Sequence, residues 1–542
     1  MDKKRSILNI SVSVSFKMLV LVLAILSRRF LIKYVGNEAN GLYSLYTSMI
    51  GFLAIADLGI GTAINFSLYK PIVEGNTTKV ASLYQVYKKI YFVVGTIIFL
   101  VGIALLPTLP YLAKDYSSDY NLYLTFFIML CSIVITYAFS AKTSLINAHK
   151  NDYITTTING IGLVLRHGVG ILVLVYFHSF EFFLLAMIAA ALLEWALTEL
   201  ITRKKYRDII SMGPVPLDKE TKQEIVKNSK AMFMHKIGDV LVNTADSVII
   251  SAFISVGILG FYSNYVTIMT AMTSLLLLFF SPLTAIIGHM CAQKDLEEEK
   301  KYFWFMYFFN FVLGLVFFLG YYAVIDNVVF ICFDGISKPE LILGKEISFV
   351  ITVNYFIQFI RRAVLLFREA SGTFYYDRYK PVLEGIVNVI LSILFSIWIG
   401  VVGVIVATII TNLLICHIVE PFVLYKHEFN AKPTKYYLVN YTLIGVFCLS
   451  LVALHFCLQT FESVWVTLVV NGFIAVGVAL VPIMLLAIVS KTFRINCKKF
   501  FKYITSALRR KKAATEPHSS GDQVQNEVDG NNEDTVQNID GI

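Results

Sequence analysis

The chain has 542 residues, of which 57% are hydrophobic, 14% aromatic and only 15% charged, and its formal net charge is +9. Soluble domains carry about 25% charged residues, so an ordinary soluble protein is excluded. The apolar runs are continuous and long enough to cross a bilayer as helices, and the ten-residue alternating segments of a membrane β-barrel are absent. The sequence therefore predicts an all-α polytopic membrane protein.

About fourteen candidate transmembrane spans follow one another along the chain. Their approximate bounds are 10–33, 42–64, 86–107, 120–141, 156–177, 181–201, 231–254, 260–289, 303–325, 346–367, 381–400, 402–424, 436–457 and 464–489. An even number places both termini on one side of the membrane. Most of the 46 lysines and arginines then fall in inner loops and tails if that side is the cytoplasm. The positive-inside rule therefore predicts that both termini are cytoplasmic.

The first twelve spans divide into two matching halves. At an offset of 219 residues, Gly41-Leu-Tyr43-Ser44-Leu-Tyr46 aligns with Gly260-Phe-Tyr262-Ser263-Asn-Tyr265. Each half then holds six spans that enter from the same side, as in parallel repeats around an axis along the membrane normal. We expect two pseudo-symmetric six-helix lobes, an N-lobe at 1–201 and a C-lobe at 231–424. A basic cytoplasmic linker at 202–230 joins them, and a binding cavity is expected at their interface.

The C-terminal region lies outside this duplication. Residues 436–489 supply spans thirteen and fourteen. Residues 491–512 combine an apolar helical face with many cations, which predicts a basic helix at the inner membrane surface. Residues 513–542 are acidic and contain almost no large apolar side chains, so we expect a disordered tail.

Seven cations fall well inside the predicted spans, where each costs about 2.5–3.5 kcal/mol at the bilayer centre. They are Lys17, Arg28, Arg29, Arg166, Lys236, Arg361 and Arg362. Lys17 and Arg28 are three helical turns apart on one face of the first span. Some of these cations must face protein or water.

We predict that five of the cations line a hydrated central cavity that binds an anionic substrate: Lys17, Arg28, Arg166, Lys236 and Arg361. The alternatives are that Arg28 and Arg29, and likewise Arg362, extend to the membrane surface, and that Arg166 or Arg361 pairs with an acid for structural reasons.

Among the acids of the predicted spans, four are candidate site residues: Asp57, Glu194, Asp239 and Asp246. Lys236, Asp239, Asn243 and Asp246 follow a 3-4-3 spacing, which places them on one polar face of the seventh span. Each of the four acids is a candidate for coupling to H⁺ or Na⁺, or for a structural role as counter-ion.

The cysteines predict no metal or redox site. The seven residues, which are Cys131, Cys291, Cys332, Cys416, Cys448, Cys457 and Cys497, lack paired spacing and mostly lie in apolar runs. The sequence also lacks a phosphate-binding glycine loop, a metal cluster or a nucleophile motif. We therefore expect a transporter rather than an enzyme, with no cofactor, no metal and no nucleic-acid partner.

Several segments resemble a known family. Met1-Asp-Lys-Lys-Arg before a cationic first span, the Gly41–Tyr46 segment and the run from Ala56-Asp57-Leu-Gly59 to Tyr69-Lys70-Pro71 resemble bacterial polysaccharide-export flippases of the O-antigen and capsule type. These belong to the multidrug/oligosaccharidyl-lipid/polysaccharide (MOP) exporter superfamily. The resemblance implies two six-helix lobes, alternating access, a bacterial cytoplasmic membrane and a polyprenyl-diphosphate-linked oligosaccharide as cargo.

Three other functions stay open. The lipid II flippases of the same superfamily are similar and also have fourteen spans. A cation-coupled multidrug exporter would require a cavity dominated by acids, whereas this chain has more cations than acids in its spans. A membrane glycosyltransferase or polymerase of the same pathway would require a larger outer domain. The partners expected are membrane lipid, the lipid-linked oligosaccharide, H⁺ or Na⁺, and other proteins of the polysaccharide pathway.

Overall fold

The computed structural model describes residues 3–57, 60–117, 119–213, 237–238, 240–242, 244–280, 283–293, 295–333, 342–489 and 493–495, with the backbone alone over several stretches, including 3–17, 56–57 and 60–66. Its regular structure over these residues is helical and contains no strand, which confirms the predicted all-α class. The proposed disordered tail at 513–542 and most of the predicted basic helix at 491–512 lie outside the described residues.

The first half of the chain forms nine helices within the described residues. They are α1 (Lys3–Tyr34), α2 (Asn37–Leu53), α3 (Ile60–Val73), α4 (Thr77–Leu105), α5 (Leu109–Leu112), α6 (Leu122–Ala148), α7 (Asp152–Phe177), α8 (Phe180–Lys205) and α9 (Arg207–Ile210). A 3₁₀ turn at Ala54–Asp57 follows α2. The predicted linker at 202–230 is described only as far as residue 213, where it continues α8 and forms α9.

The second half supplies the remaining helices of the described chain. They are α10 (Val240–Ile254, ending in a π-helical turn at Ile250–Ile254), α11 (Val256–Phe280), α12 (Leu283–Gln293), α13 (Leu296–Cys332), α14 (Lys345–Ile360), α15 (Arg362–Ser371), α16 (Lys380–Thr411), α17 (His417–His427), α18 (Thr434–Cys457) and α19 (Val464–Val489).

Nine helical segments within the described residues are long and apolar enough to cross a membrane. One of them, Lys380–His427, covers two predicted spans because α16 and α17 run on through a π-helical turn at Asn412–Cys416. The other predicted spans fall on α1, α2 with α3, α10, and α11 with α12. The protein is therefore a multi-pass membrane protein.

Several long helices begin at a side-chain cap. Asn76, Asn121, Ser179 and Asp295 each accept a hydrogen bond from the backbone N–H three residues later, at the starts of α4, α6, α8 and α13. These short polar side chains satisfy a donor that the first helical turn leaves free. In a membrane domain such caps mark where a helix leaves the water-exposed connection.

The chain divides into two compact units, Met1–Met484 and Leu485–Ile542. Within the first unit, α1, α4, α6, α7 and α8 pack on one another, and α12 to α16 pack on one another and on α18. The helix α2 of the first half and the helix α11 of the second half make the most extensive helix–helix contact between the two halves. The residue bounds of the two lobes stay a prediction.

The helix α16 bends sharply near its middle. Ile399 and Gly400 leave the helical region, and Gly400 has φ +60°, a conformation that favours glycine. Gly403 then packs against the backbone carbonyl of Phe395, where a Cβ would overlap it. The predicted eleventh and twelfth spans are thus joined by a corner of two residues.

The helix α18 is attached along one face. The side-chain amide of Asn440 accepts from the Tyr307 hydroxyl (2.8 Å) and lies 3.0 Å from Nδ1 of His417. Its opposite face exposes Leu449 and Phe456, which are 72% and 80% accessible. An apolar face of this kind is suited to lipid.

Candidate functional site

The helices α2 and α11 cross in close contact, with one glycine from each helix at the crossing point. A Cβ at Gly41 would overlap the backbone carbonyl of Val256, and a Cβ at Gly260 would overlap that of Asn37. The two contacts are reciprocal, since Asn37 and Val256 are separated by the same 219 residues as Gly41 and Gly260. Glycine allows the backbones to approach this closely. The crossing lies at the membrane end where α1 ends, which the charge distribution predicts to be the outer end.

Arg28 of α1 forms hydrogen bonds to both helices of this crossing. Its Nη1 donates to Ser263 Oγ (2.8 Å) on α11 and to Asn40 Oδ1 (3.0 Å) on α2. Asn40 Nδ2 in turn donates to the carbonyl of Gly260 (2.9 Å). The guanidinium also lies 5.6 Å from the ring centre of Tyr43. The predicted cavity residue Arg28 therefore joins three helices in this conformation.

A second set of contacts closes the same end. The backbone N–H of Lys114, after α5, donates to the Ser251 carbonyl (3.2 Å), and the Val256 N–H donates to the Lys114 carbonyl (3.0 Å). The Lys114 ammonium donates to the Phe253 carbonyl (3.0 Å). The connection after α5 and the turn between α10 and α11 are thus held together by backbone hydrogen bonds.

A polar cavity of about 420 Å³ lies between α4, α6, α7 and α8. Two charged residues, Arg166 and Glu194, line it together with the hydroxyl and amide side chains of Thr136, Ser140, Thr143, Ser144 and Asn159. The α6 residues have i, i+4, i+7, i+8 spacing and so share one helical face. The cavity offers both hydrogen-bond donors and hydrogen-bond acceptors inside a membrane domain.

The charged pair in this cavity is loose. Nη2 of Arg166 lies 3.8 Å from Oε1 of Glu194. The buried Nε of Arg166 and the buried Nδ1 of the adjacent His167 have no hydrogen-bond partner among the described residues. The guanidinium of Arg166 therefore keeps N–H donors for a further acceptor. A structural ion pair with an acid, the alternative predicted for Arg166, describes only part of its environment.

Arg361 lies in a different environment. Its Nε and Nη2 donate to the two carboxylate oxygens of Glu420 (3.1 and 2.8 Å), and Nη1 donates to Asn412. Glu420, which is 1% exposed, also pairs with Lys380 (2.7 Å) and Arg368 (3.5 Å). The donors of Arg361 are thus committed to a buried charge network in the second half of the chain.

Asp246 is partly buried beside the buried polar side chains of Asn388 and Thr408 on α16. Its two carboxylate oxygens lie 3.4 and 3.3 Å from the Thr408 hydroxyl, which also accepts from Asn388 Nδ2 (2.9 Å). Asn388 Oδ1 is buried without a hydrogen-bond partner in the described chain, and so is the hydroxyl of Ser392, one turn along α16. A carboxylate with several carbonyl and hydroxyl oxygens can bind a hard cation or a proton.

For the remaining predicted site residues, the structure describes the backbone alone or does not describe the residue. Lys17 lies on α1 and Asp57 at the end of the 3₁₀ turn after α2, with side chains outside the described part of the chain. Lys236 and Asp239 lie outside the described residues altogether, as does Asn243. The expected approach of Lys17 to Lys236 therefore stays a prediction.

The two other intramembrane arginines are paired. Arg29 donates from Nη1 to the Ile331 carbonyl (2.7 Å) on α13. Arg362 lies 3.8 Å from the half-exposed carboxylate of Glu369.

Two features of these sites were not predicted from the sequence. The hydroxyl face of α6 could have been found, because Thr136, Ser140, Thr143 and Ser144 form a polar stripe in an otherwise apolar run. Glu420 and Glu384 are acids within or beside predicted spans and could have been added to the intramembrane charges. The i,i+4 spacing of Lys380 and Glu384 could have predicted that pair, whereas the partners of Glu420 are 40 to 59 positions away and could not be predicted.

The comparisons with known proteins agree with this fold. The chain has the architecture of the MOP superfamily, which confirms the resemblance seen in the sequence. The family model described as "Polysaccharide biosynthesis protein" matches residues 6–287, just over half of the chain, and the protein belongs to that family. No curated protein sequence matches it.

Three solved structures illustrate the shared fold. The lipid II flippase MurJ in an inward closed conformation has a TM-score of 0.59 and 13% identity, covering 89% of this chain and 99% of its own. An inward-facing multidrug resistance MATE family transporter has a TM-score of 0.55 and 14% identity, with coverages of 74% and 96%. The MATE multidrug transporter DinF-BH has a TM-score of 0.53 and 16% identity, with coverages of 78% and 97%.

Proposed function

We propose that the protein is a flippase that moves a polyprenyl-diphosphate-linked oligosaccharide from the inner to the outer leaflet of the bacterial cytoplasmic membrane, for synthesis of a cell-surface polysaccharide. The observation that carries this proposal is the polar cavity around Arg166, because it combines a cation with a row of hydroxyl groups within the membrane domain. Membership of the polysaccharide biosynthesis family supports the same class of cargo.

The cavity suits the two chemical parts of such a head group. A guanidinium with free donors binds phosphate oxygens. The hydroxyl and amide side chains of Thr136, Ser140 and Asn159 can exchange hydrogen bonds with sugar hydroxyls. The polyprenyl tail stays in the bilayer, and the exposed apolar face of α18 offers a surface for it. Lys17, Arg28 and Lys236 complete the cationic path in this proposal.

The glycine crossing provides the outer gate. With α2 and α11 in backbone contact, Arg28 bonded to Ser263 and Lys114 bonded across the same end, the conformation is closed on the predicted outer side. Rocking of the two helix groups would separate this crossing and free Arg28 to contact the diphosphate on its way out. Arg28 thus has a closing role in one state and a binding role in the other.

Arg361 is left out of the proposed binding set. Its guanidinium is bound by Glu420 and Asn412, and releasing it would leave a carboxylate that is 1% exposed without one of its partners. Breaking a buried ion pair costs several kcal/mol. We therefore assign Arg361 to the internal structure of the second half of the chain.

The driving force has two sources in this proposal. A diphosphate diester carries about two negative charges, and moving each outward across 100 mV, inside negative, yields about 2.3 kcal/mol. The group around Asp246, Asn388 and Thr408 provides a site for Na⁺ or H⁺, whose re-entry can reset the carrier. Glu194 serves as the counter-ion of Arg166, and Asp57 and Asp239 are further candidates for coupling.

The experiment is transport of fluorescently labelled lipid-linked sugar in proteoliposomes. Arg166→Ala should abolish head-group translocation while the protein keeps its elution profile and thermal stability. Arg378→Ala, which removes a partly exposed arginine between α15 and α16, is the matched control and should transport normally. Equal transport by the wild type and by Arg166→Ala would refute the assignment of Arg166.

The cargo is distinguished in the same assay. A lipid-linked oligosaccharide of the O-antigen or capsule type, lipid II and a cationic dye are offered separately. We expect transport of the first. Transport of lipid II alone would favour the alternative lipid II flippase, and export of the dye alone would favour the multidrug exporter. Sugar transfer without translocation would indicate a glycosyltransferase or polymerase.

A further inference from the structure

A thiol and two carboxyl groups meet where α12 is followed by α13. Cys291 lies in the last turn of α12, Glu299 in the first turns of α13, and Glu428 directly after α17. The Cys291 Sγ and a carboxylate oxygen from each glutamate all lie within 4.8 Å of one another. Glu428 is more than a hundred positions away from the other two, so sequence spacing could not reveal the cluster.

The buried carboxylate in this cluster is incompletely satisfied. Glu299 is 1% exposed, and its Oε1 accepts from the Cys291 thiol at 3.3 Å. Its Oε2 is buried and has no hydrogen-bond partner among the described residues. The adjacent Lys300 forms its ion pair with Glu297, at 3.6 Å. A buried carboxylate oxygen next to a second carboxylate is costly unless a cation or a proton is shared between them.

We propose that Cys291, Glu299 and Glu428 bind one Zn²⁺ ion, with water as the fourth ligand. Zinc takes one thiolate at about 2.3 Å and carboxylate oxygens at about 2.0–2.2 Å, so side-chain movements of about 1 Å would bring these atoms into a tetrahedral site. The thiol proton is released to solvent when the metal binds. Ca²⁺ and Mg²⁺ are excluded because a thiolate is a poor ligand for them.

The ion would add a link between two parts of the chain that already pack on each other through the rings of Phe303 on α13 and Tyr425 on α17. It would hold the corner between α12 and α13 against the end of α17, which carries the Glu420 charge network. The site is separate from the polar cavity and from the glycine crossing. It would therefore act on the stability of the second half of the chain and not on the cargo.

The test uses the purified full-length protein after treatment with a chelator. Zn²⁺ is titrated in competition with a chromogenic chelator, and Co²⁺ is then used as a spectroscopic substitute. We expect one equivalent of tightly bound Zn²⁺, a rise in melting temperature on binding and a thiolate-to-cobalt charge-transfer band. Cys291→Ser should remove the band and weaken Zn²⁺ binding by at least about tenfold, as should Glu299→Gln.

The controls separate this site from adventitious binding. Glu297→Gln removes an exposed acid from the same helical turn, and Cys448→Ser removes a thiol from α18; both should bind Zn²⁺ like the wild type. Glu428→Gln changes a partly exposed ligand and serves if the other variants do not fold. Unchanged Zn²⁺ affinity in these ligand variants would overturn the proposal. So would an absence of Zn²⁺ binding by the wild type, which would leave a protonated cluster as the explanation.

Discussion

The carboxylate of Glu194 lies across α7 at Gly162, in the space that any side chain at position 162 would occupy. This contact lets α7 and α8 approach closely, and it carries the carboxylate over the helix to within 3.8 Å of Arg166. The geometry of the polar cavity therefore depends on a residue that contributes no chemical group to it.

We expect Gly162→Ala to displace Glu194 and to rearrange the cavity. The methyl group would overlap the carboxylate, and forced repacking of this kind typically costs about 1–3 kcal/mol. Transport of the lipid-linked sugar should fall while the protein still folds. The control is Gly168→Ala on the same helix, because a methyl group there meets open space. Equal loss of transport in both variants would show that α7 tolerates no alanine for other reasons.

Gly41→Ala should weaken the closed outer gate. The added methyl group would collide with the Val256 carbonyl, so the crossing of α2 and α11 should separate at a cost of about 1–3 kcal/mol. The measurement is the reactivity of a Ser44→Cys reporter with a membrane-impermeant thiol reagent, after the exposed Cys457 has been replaced by serine.

We expect the reagent to modify the reporter faster in Gly41→Ala than in the parent protein. The matched control is Gly257→Ala, where a Cβ has ordinary contact distance to the Ser255 hydroxyl. Slow modification in both variants would argue against the crossing as a gate.

Arg361→Ala should destabilise the protein through the buried charge network. The change leaves Glu420 without its bidentate partner, although Lys380 and Arg368 still neutralise part of its charge, and we expect a loss of about 3 kcal/mol. The adjacent Arg362→Ala removes a pair with a half-exposed Glu369 and should cost less than about 1 kcal/mol. Thermal unfolding in detergent provides the comparison. A stable Arg361→Ala protein with defective transport would restore Arg361 to the binding set.

The Asp246 group should make the protein sensitive to Na⁺. We expect Na⁺, but not K⁺, to raise the melting temperature of the wild type, since the small oxygen-lined group is suited to a hard cation. Asp246→Asn and Thr408→Ala should lose this effect. Ser396→Ala should keep it, because that hydroxyl, also on α16, is already bonded to the Ile393 carbonyl (2.7 Å). If Na⁺ stabilised none of these proteins, protons would be the remaining candidate for coupling.

The sequence predicted the all-α membrane class because this depends on a local pattern. Apolar runs of helical length report burial in lipid directly. The sequence aligned Gly41 with Gly260 as equivalent positions of a short repeated segment, and the structure places these two glycines at one crossing, a contact that the alignment did not predict.

The partners of the intramembrane charges could not be predicted in the same way. Arg361 and Arg166 look alike in sequence, since each is an arginine within an apolar run. Their environments differ because Glu420 comes from a helix about sixty residues further along the chain, whereas Glu194 comes from the next helix. Such differences arise from tertiary packing, which a single sequence does not encode in its spacing.

The bend at Ile399 and Gly400 has a mechanical consequence. Asn388 lies in the helical segment before this bend and Thr408 in the segment after it. Because the bend is only two residues long and a hydrogen bond joins Asn388 to Thr408, the two segments have little freedom to move apart. Asp246 is supplied by a separate helix, so an ion that draws it inward pulls α10 toward a fixed frame. A movement of α10 would be transmitted through the π-helical turn at Ile250–Ile254 to Val256, the residue whose carbonyl contacts Gly41. An ion bound at Asp246 would therefore alter the contact between Val256 and Gly41 through one continuous stretch of backbone.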